Sequence, residues 1–360
     1  MLRDRLRSWT FIGPLIGWLL LAATPWLTHP AFRLALAAAL IACVLAAVHH
    51  AESVAHRVGE PFGTLVLALA VTVIEASLIV SLMLAGGAAA ATLARDTVFA
   101  AIMIILNGMV GFFLLAGGSR HGEQAFTLYG VNAALAALAT LSVLVLVLPN
   151  ATLTTPGPIY SASQLIIIGA ACLVLYGAFV LIQTVRHRDY FLPQGHAAHD
   201  AGTHAPPPSN AAAAFSAVML LVSLGAVVLL AKKLSPVVEA AVASAGAPEA
   251  AVGIIIAVIV LLPESLAALN AARVNRLQTS LNLALGSALA TIGLTIPVVI
   301  VIALSTGLTL VLGLDFKGTV LLALTLLVSA LSLGTGRTTV FQGVVHLVIF
   351  AVYLFTTVVP

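Results

Sequence analysis

Apolar residues along this chain fall into unbroken runs, separated by short stretches where Arg, Lys, Asp, Glu, His, Gly and Pro collect. A bilayer with a hydrocarbon core of about 30 Å takes about 20 mostly apolar residues per helix. By that measure the sequence predicts eleven spans. They are Phe11 to Leu27, Phe32 to Val48, Pro61 to Leu84, Thr97 to Leu115, Leu128 to Leu148 and Ile159 to Val185. The remaining five are Ala211 to Ala231, Ala250 to Ala272, Leu281 to Ser305, Gly318 to Leu333 and Val340 to Val359. The runs are continuous and rich in Ala and Leu, without the two-residue alternation of a membrane β-barrel, so the predicted class is an all-α polytopic membrane protein. Arg3, Arg5 and Arg7 precede the first run, yet it carries Gly13, Pro14 and two tryptophans and ten spans follow, so it reads as a retained helix rather than a cleaved signal.

Composition narrows the class further. Only 8% of the residues are charged and 61% are hydrophobic, whereas a soluble domain carries about 25% charged residues. That excludes a soluble enzyme, a disordered chain and a coiled coil. The two cysteines, Cys43 and Cys172, both lie in apolar runs and build no disulfide framework. With the amino terminus inside, the inner segments hold Arg3, Arg5, Arg7, Arg57, Arg120, Arg186, Arg188, Arg273, Arg276 and Arg337. The outer ones then hold Arg33, Arg95, Lys232, Lys233 and Lys317. Such an excess predicts a cytoplasmic amino terminus and an external carboxyl terminus. No basic face with interleaved aromatics suggests a nucleic-acid partner; the predicted partners are lipid, a transported cation and protons.

A repeat is visible in the sequence. Glu60 precedes Glu75 by the same spacing that separates Glu249 from Glu264, and the following span in each half has Asn, three residues, then Gly: Asn107 with Gly111 and Asn282 with Gly286. The matched glutamate spans are the third and the eighth. That odd displacement makes them cross the membrane in opposite directions, as in transporters built from inverted repeats with a midplane site. The predicted organisation is an extra amino-terminal helix in 1–31, a five-helix repeat in 32–185, a cytoplasmic linker in 186–210 and a second five-helix repeat in 211–360.

Of the twelve acidic residues, only Glu75 and Glu264 fall well inside a span. A carboxylate there costs about 3 kcal/mol on insertion scales, so it should face protein or a water cavity. Burial favours its protonated form and a bound cation favours the ionised one, an opposition that makes exchange possible. Thr72 lies three residues before Glu75 on the same helical face. Ser265 adjoins Glu264 on a different face. With Glu75 and Glu264 these form the candidate cation- and proton-binding set, the two glutamates being the metal ligands. Pro263 removes a helical hydrogen bond and frees a carbonyl four residues back, suiting a hard ion that takes six to eight oxygens. No intramembrane His or Cys pairs suit zinc or copper, and no resident cofactor is predicted. Asn107, Asn282 and Pro263 are candidate packing or supporting residues, and His346 reads as an interhelical partner.

Residues Gly59 to Glu75, with Leu262-Pro-Glu-Ser265 later, resemble the ChaA branch of calcium/proton antiporters, within the cation/proton exchangers of the Ca²⁺/cation antiporter superfamily. The resemblance spans nearly the whole chain. It implies a one-plus-five-plus-five helix fold, exchange of Ca²⁺ (Na⁺ or K⁺ in some members) for H⁺, and the two repeat glutamates as the site. Many members carry Gly-Asn-x-x-Glu in each repeat; here Val71-Thr72 and Val260-Leu261 stand in those places. Thr72 offers an oxygen and Leu261 none. The acidic segment that some members carry midway is missing.

Near the predicted inner end of the second span, His49, His50, Glu52, His56 and Arg57 cluster in what reads as an interfacial loop. Glu52 is an access-path candidate there, with Glu60 and Glu249 beside helix-start prolines, where the helix dipole also favours an acid. His187, His196, His199 and His204 occupy the long linker and read as parts of a flexible connection rather than a metal site. Rival functions are a monovalent cation/proton antiporter with the same site, a passive cation channel and an intramembrane enzyme. The enzyme's signatures (Gly-x-Ser-x-Gly, His-Glu-x-x-His, paired aspartates) are absent.

Overall fold

The computed structural model describes residues 8–24, 29–59, 62–192, 208–246, 248 and 250–359. Helices α1 (Trp9–Ala23), α2 (Pro30–Val58) and α3 (Phe62–Gly86) come first. The fourth span is α4 (Leu93–Met103), a π turn (Ile104–Met109) and α5 (Val110–His121). The fifth is α6 (Leu128–Ser142) with a π turn (Val143–Val147), and the sixth α7 (Ala162–Leu181) with a π turn (Ile182–Arg186). Then follow α8 (Asn210–Ser244), α9 (Ala250–Arg273), α10 (Leu277–Ala290), a π turn (Thr291–Thr295), α11 (Ile296–Thr306), α12 (Phe316–Leu333) and α13 (Val340–Val358). Two short strands, β1 (Gln124–Ala125) and β2 (Arg337–Thr338), pair antiparallel.

Among the described residues, nine helices are individually long and apolar enough to cross a membrane, and the bent helix α9 makes a tenth. The first predicted span is α1, a shorter apolar helix of 15 residues. Two helix ends depart furthest from the sequence pattern. Helix α2 runs on to Val58, so the His49–Arg57 cluster lies on its last turns rather than in a loop; Gly59, at φ 75°, ends it. Helix α8 continues past Ala231 through Lys232, Lys233 and Pro236 to Ser244, 35 residues in all. Loss of hydrophobicity marks where a helix leaves lipid, not where its hydrogen bonds stop, and alanine-rich stretches keep their helical propensity beyond that point.

The chain divides into two compact units, Met1–Ala90 with Ala205–Val252 and Ala91–His204 with Gly253–Pro360. In the first, α8 packs on α1, α2 and α3. Trp18 donates its indole N–H to the Val222 carbonyl at 3.1 Å, and wholly buried Cys43, Ala46, Ala47 and Ala51 form the α2 seam. The second unit pairs α5 with α13, α6 with α10 and α7 with α11. At the α5–α13 crossing, a Cβ on Gly343 would lie 2.6 Å from the Leu115 nitrogen and 2.9 Å from the Gly111 carbonyl oxygen, so only glycine permits this approach. The loop before α7 is anchored by Tyr160, whose hydroxyl donates to the Leu144 carbonyl at 2.6 Å. Burial, and secondarily the Cys172 thiol, push that phenol up to about 12.

Candidate functional site

In the first unit, Glu75 sits near the middle of α3, 3% exposed, with Thr72 one turn earlier at 4%. The same helix turns Leu69 and Val73 outward and buries Ile74, Leu78 and Ile79. A three-to-four-residue period therefore places the carboxylate and the threonine hydroxyl on the inward stripe. Glu52 lies on the closing turns of α2 and is exposed. Its neighbour His50 is buried, its Nε2 3.2 Å from the Thr10 carbonyl. The access-path candidates Glu60 and Glu249 lie outside the described residues.

Glu264 belongs to the second unit and is half-buried. Helix α9 bends by 56° between Leu262 and Glu264, at Pro263. A proline lacks the N–H for the helical bond, which accounts for the bend. Ser287, on α10, donates its hydroxyl to Glu264 Oε2 at 3.2 Å. No spacing rule links a serine to an acid 23 residues away, so nothing in the sequence singles out Ser287. The residue equally far beyond Glu75 is Val98, which is wholly buried. Ser265 directs its hydroxyl to the Leu261 carbonyl one turn back, at 2.6 Å.

The two asparagines sit at different depths. Asn107 is wholly buried within the π turn of the fourth span and donates to Thr325 Oγ1 at 2.9 Å. Asn282 lies in the opening turns of α10, where it donates to the Phe191 carbonyl at 2.6 Å and accepts from Gln278 at 2.8 Å. It thus fastens the start of the linker, where Phe191 is buried edge-on to Phe179. The feature of the ninth span that resembles the surroundings of Asn107 is instead its own π turn, Thr291–Thr295. Gly111 and Gly286 differ likewise: the first is in close contact with α13 and the second has nothing within 4 Å of its Cβ position. The Asn-x₃-Gly match therefore joins residues in unlike surroundings, and π turns occur in spans four, five, six and nine. Such turns open the helical ladder and recur at functional sites.

A cavity of about 560 Å³ lined by Arg95, Asn150 and Asp315 lies among the loops of the second unit and contains none of the candidate ion-binding residues. Among the described residues no group of three or more His, Cys, Asp or Glu is placed to hold a metal ion. His196, His199 and His204 lie outside the described residues.

The family model for sodium/calcium exchanger proteins matches residues 29–185 and 215–359. The chain is 48% identical over 356 residues to the putative ionic transporter y4hA of Sinorhizobium fredii (strain NBRC 101917 / NGR234), covering 98% of this chain and 96% of that protein. It is 39% identical over 318 residues to the sodium-potassium/proton antiporter ChaA of Escherichia coli (strain K12), covering 88% and 86% respectively. Its fold matches native YfkE with a TM-score of 0.71 at 16% identity, over 98% of this chain and all of the other. The H⁺/Ca²⁺ exchanger CAX matches with a TM-score of 0.71 at 15% identity, over 96% and 87%.

Proposed function

The chain belongs to the sodium/calcium exchanger protein family, and from that premise we propose that it is a cation/proton antiporter in which Ca²⁺ and protons compete for Glu75 and Glu264. The observation that carries this reading is Glu75, an acid 3% exposed at the middle of a helix long and apolar enough to span a membrane. Such a group is retained at a cost. Glu264 supports the same role: it follows the proline bend of α9 and accepts a hydrogen bond from Ser287. The family match over 29–185 and 215–359 is consistent with one glutamate in each of two repeats.

Two carboxylates balance one divalent cation or two protons, so trading one for the other leaves the pair electrically unchanged; this favours Ca²⁺. The Ca²⁺/H⁺ activity carried in the name of CAX accords with it. A monovalent reading has its own support. The E. coli relative is named for sodium, potassium and protons, and Leu261 supplies no side-chain oxygen near Glu264. The amino terminus is proposed to be cytoplasmic, following the arginine distribution.

The test uses everted vesicles holding a pre-set pH gradient, with Ca²⁺, Na⁺, K⁺ and Mg²⁺ added in turn. Dissipation by Ca²⁺ at the lowest concentration supports the leading reading, and dissipation by Na⁺ or K⁺ alone selects the monovalent one. A gradient that no cation dissipates refutes both.

A further inference from the structure

His346, on α13, is wholly buried and plays no part in the exchange chemistry proposed above. Its ring connects three elements of the second unit. Nδ1 lies 3.3 Å from Asn107 Oδ1 in the π turn of the fourth span. Nε2 lies 2.7 Å from Ser332 Oγ on α12.

Asn107 also donates its amide N–H to Thr325 Oγ1 on α12 at 2.9 Å. The Ser332 hydroxyl donates its one proton to the Val328 carbonyl, and its oxygen faces Nε2. An i→i+5 turn interrupts the helical ladder, and His346 braces this one from outside the helix through Asn107. That same π turn packs against α10, the helix carrying Ser287, which donates to Glu264.

We infer that His346 is a positioning residue for exchange: the contact of its Nδ1 with Asn107 holds the π turn in the shape on which α10 rests, and so sets where Ser287 meets Glu264. The inference rests on the exchange reading for its kinetic consequences, but the hydrogen-bond pattern stands independently of it.

Three substitutions separate the two nitrogens. His346→Asn places an amide near the Nδ1 position and keeps the bond to the π turn. His346→Gln places one near Nε2 and keeps only Ser332, and His346→Leu keeps neither. Purified wild type and variants are reconstituted in liposomes, and cation-driven proton flux is measured against cation concentration. The expected result is a KM about tenfold higher for Leu and Gln, the effect of losing one buried hydrogen bond. Asn should remain within about threefold of wild type, and kcat should change less than KM in all three. Rescue by Gln but not Asn overturns the inference, as does wild-type KM in all three variants. Loss confined to kcat overturns it as well. Wild type without any cation-driven flux refutes the exchange reading instead. In that event the Asn107 side-chain ¹⁵N–¹H resonances decide the hydrogen-bond pattern: shifts that move in His346→Leu and stay near wild type in His346→Asn support the inference, and shifts unchanged in both overturn it.

Discussion

Replacing Ser287 by alanine removes the hydroxyl donated to Glu264 Oε2 at 3.2 Å and leaves the backbone of α10 unchanged. Hydrogen bonds to charged groups contribute about 1.5–3 kcal/mol. Because Glu264 is half-buried and solvent partly screens the interaction, the lower end applies, about 1.5 kcal/mol. That corresponds to about a tenfold loss of cation affinity. The carboxylate stays in place, so proton-coupled turnover at saturating cation should fall by less than about threefold. Cation-dependent proton flux in proteoliposomes, fitted for KM and kcat, reads both quantities. Ser287→Thr retains a hydroxyl and should recover most of the lost affinity. An unchanged KM in Ser287→Ala would show that this hydroxyl does not support the ion site. Equal losses in alanine and threonine would assign the effect to packing instead.

Three further outcomes follow from other parts of the molecule. Pro263→Ala should straighten the 56° bend of α9 and slow exchange by about tenfold without lowering the yield of folded protein, measured as initial flux per reconstituted molecule. Gly343→Leu forces apart α5 and α13, whose backbones approach too closely for any Cβ. It should cost about 3 kcal/mol, seen as a lower unfolding temperature in detergent. Alkaline phosphatase fused after Pro360 should be active in bacteria if the carboxyl terminus is external, and inactivity would reverse the proposed orientation.

The sequence made the spans plain because hydrophobicity responds directly to lipid. All eleven apolar runs correspond to helices, although α1 is short. Helix ends were less visible: α2 and α8 continue as helices through polar residues whose exit from lipid the hydropathy pattern registers as a stop. Glu75 and Glu264 stood out as charges in apolar surroundings, and Pro263 marked a missing helical hydrogen bond where the structure bends. The partner of Glu264 did not stand out, because a serine in an apolar helix carries no periodic signal and its pairing is made by tertiary packing. Asn107 and Asn282 look alike in the sequence and differ in the structure. Their shared spacing to a glycine is local, while their roles depend on depth: one is buried in a π turn beside His346, the other fastens the linker at Phe191. The π turns of the fourth and ninth spans arise where the helices pack, and no residue pattern announced them.

Proton release from purified protein tests the central claim most directly. In weakly buffered detergent solution, adding Ca²⁺ should acidify the medium in wild type as the cation displaces protons from Glu75 and Glu264. Glu75→Gln and Glu264→Gln, each lacking one ionisable carboxyl group, should each release fewer protons per molecule. Release at the wild-type level from both variants would contradict the assignment of these two glutamates as the groups that cation and proton share.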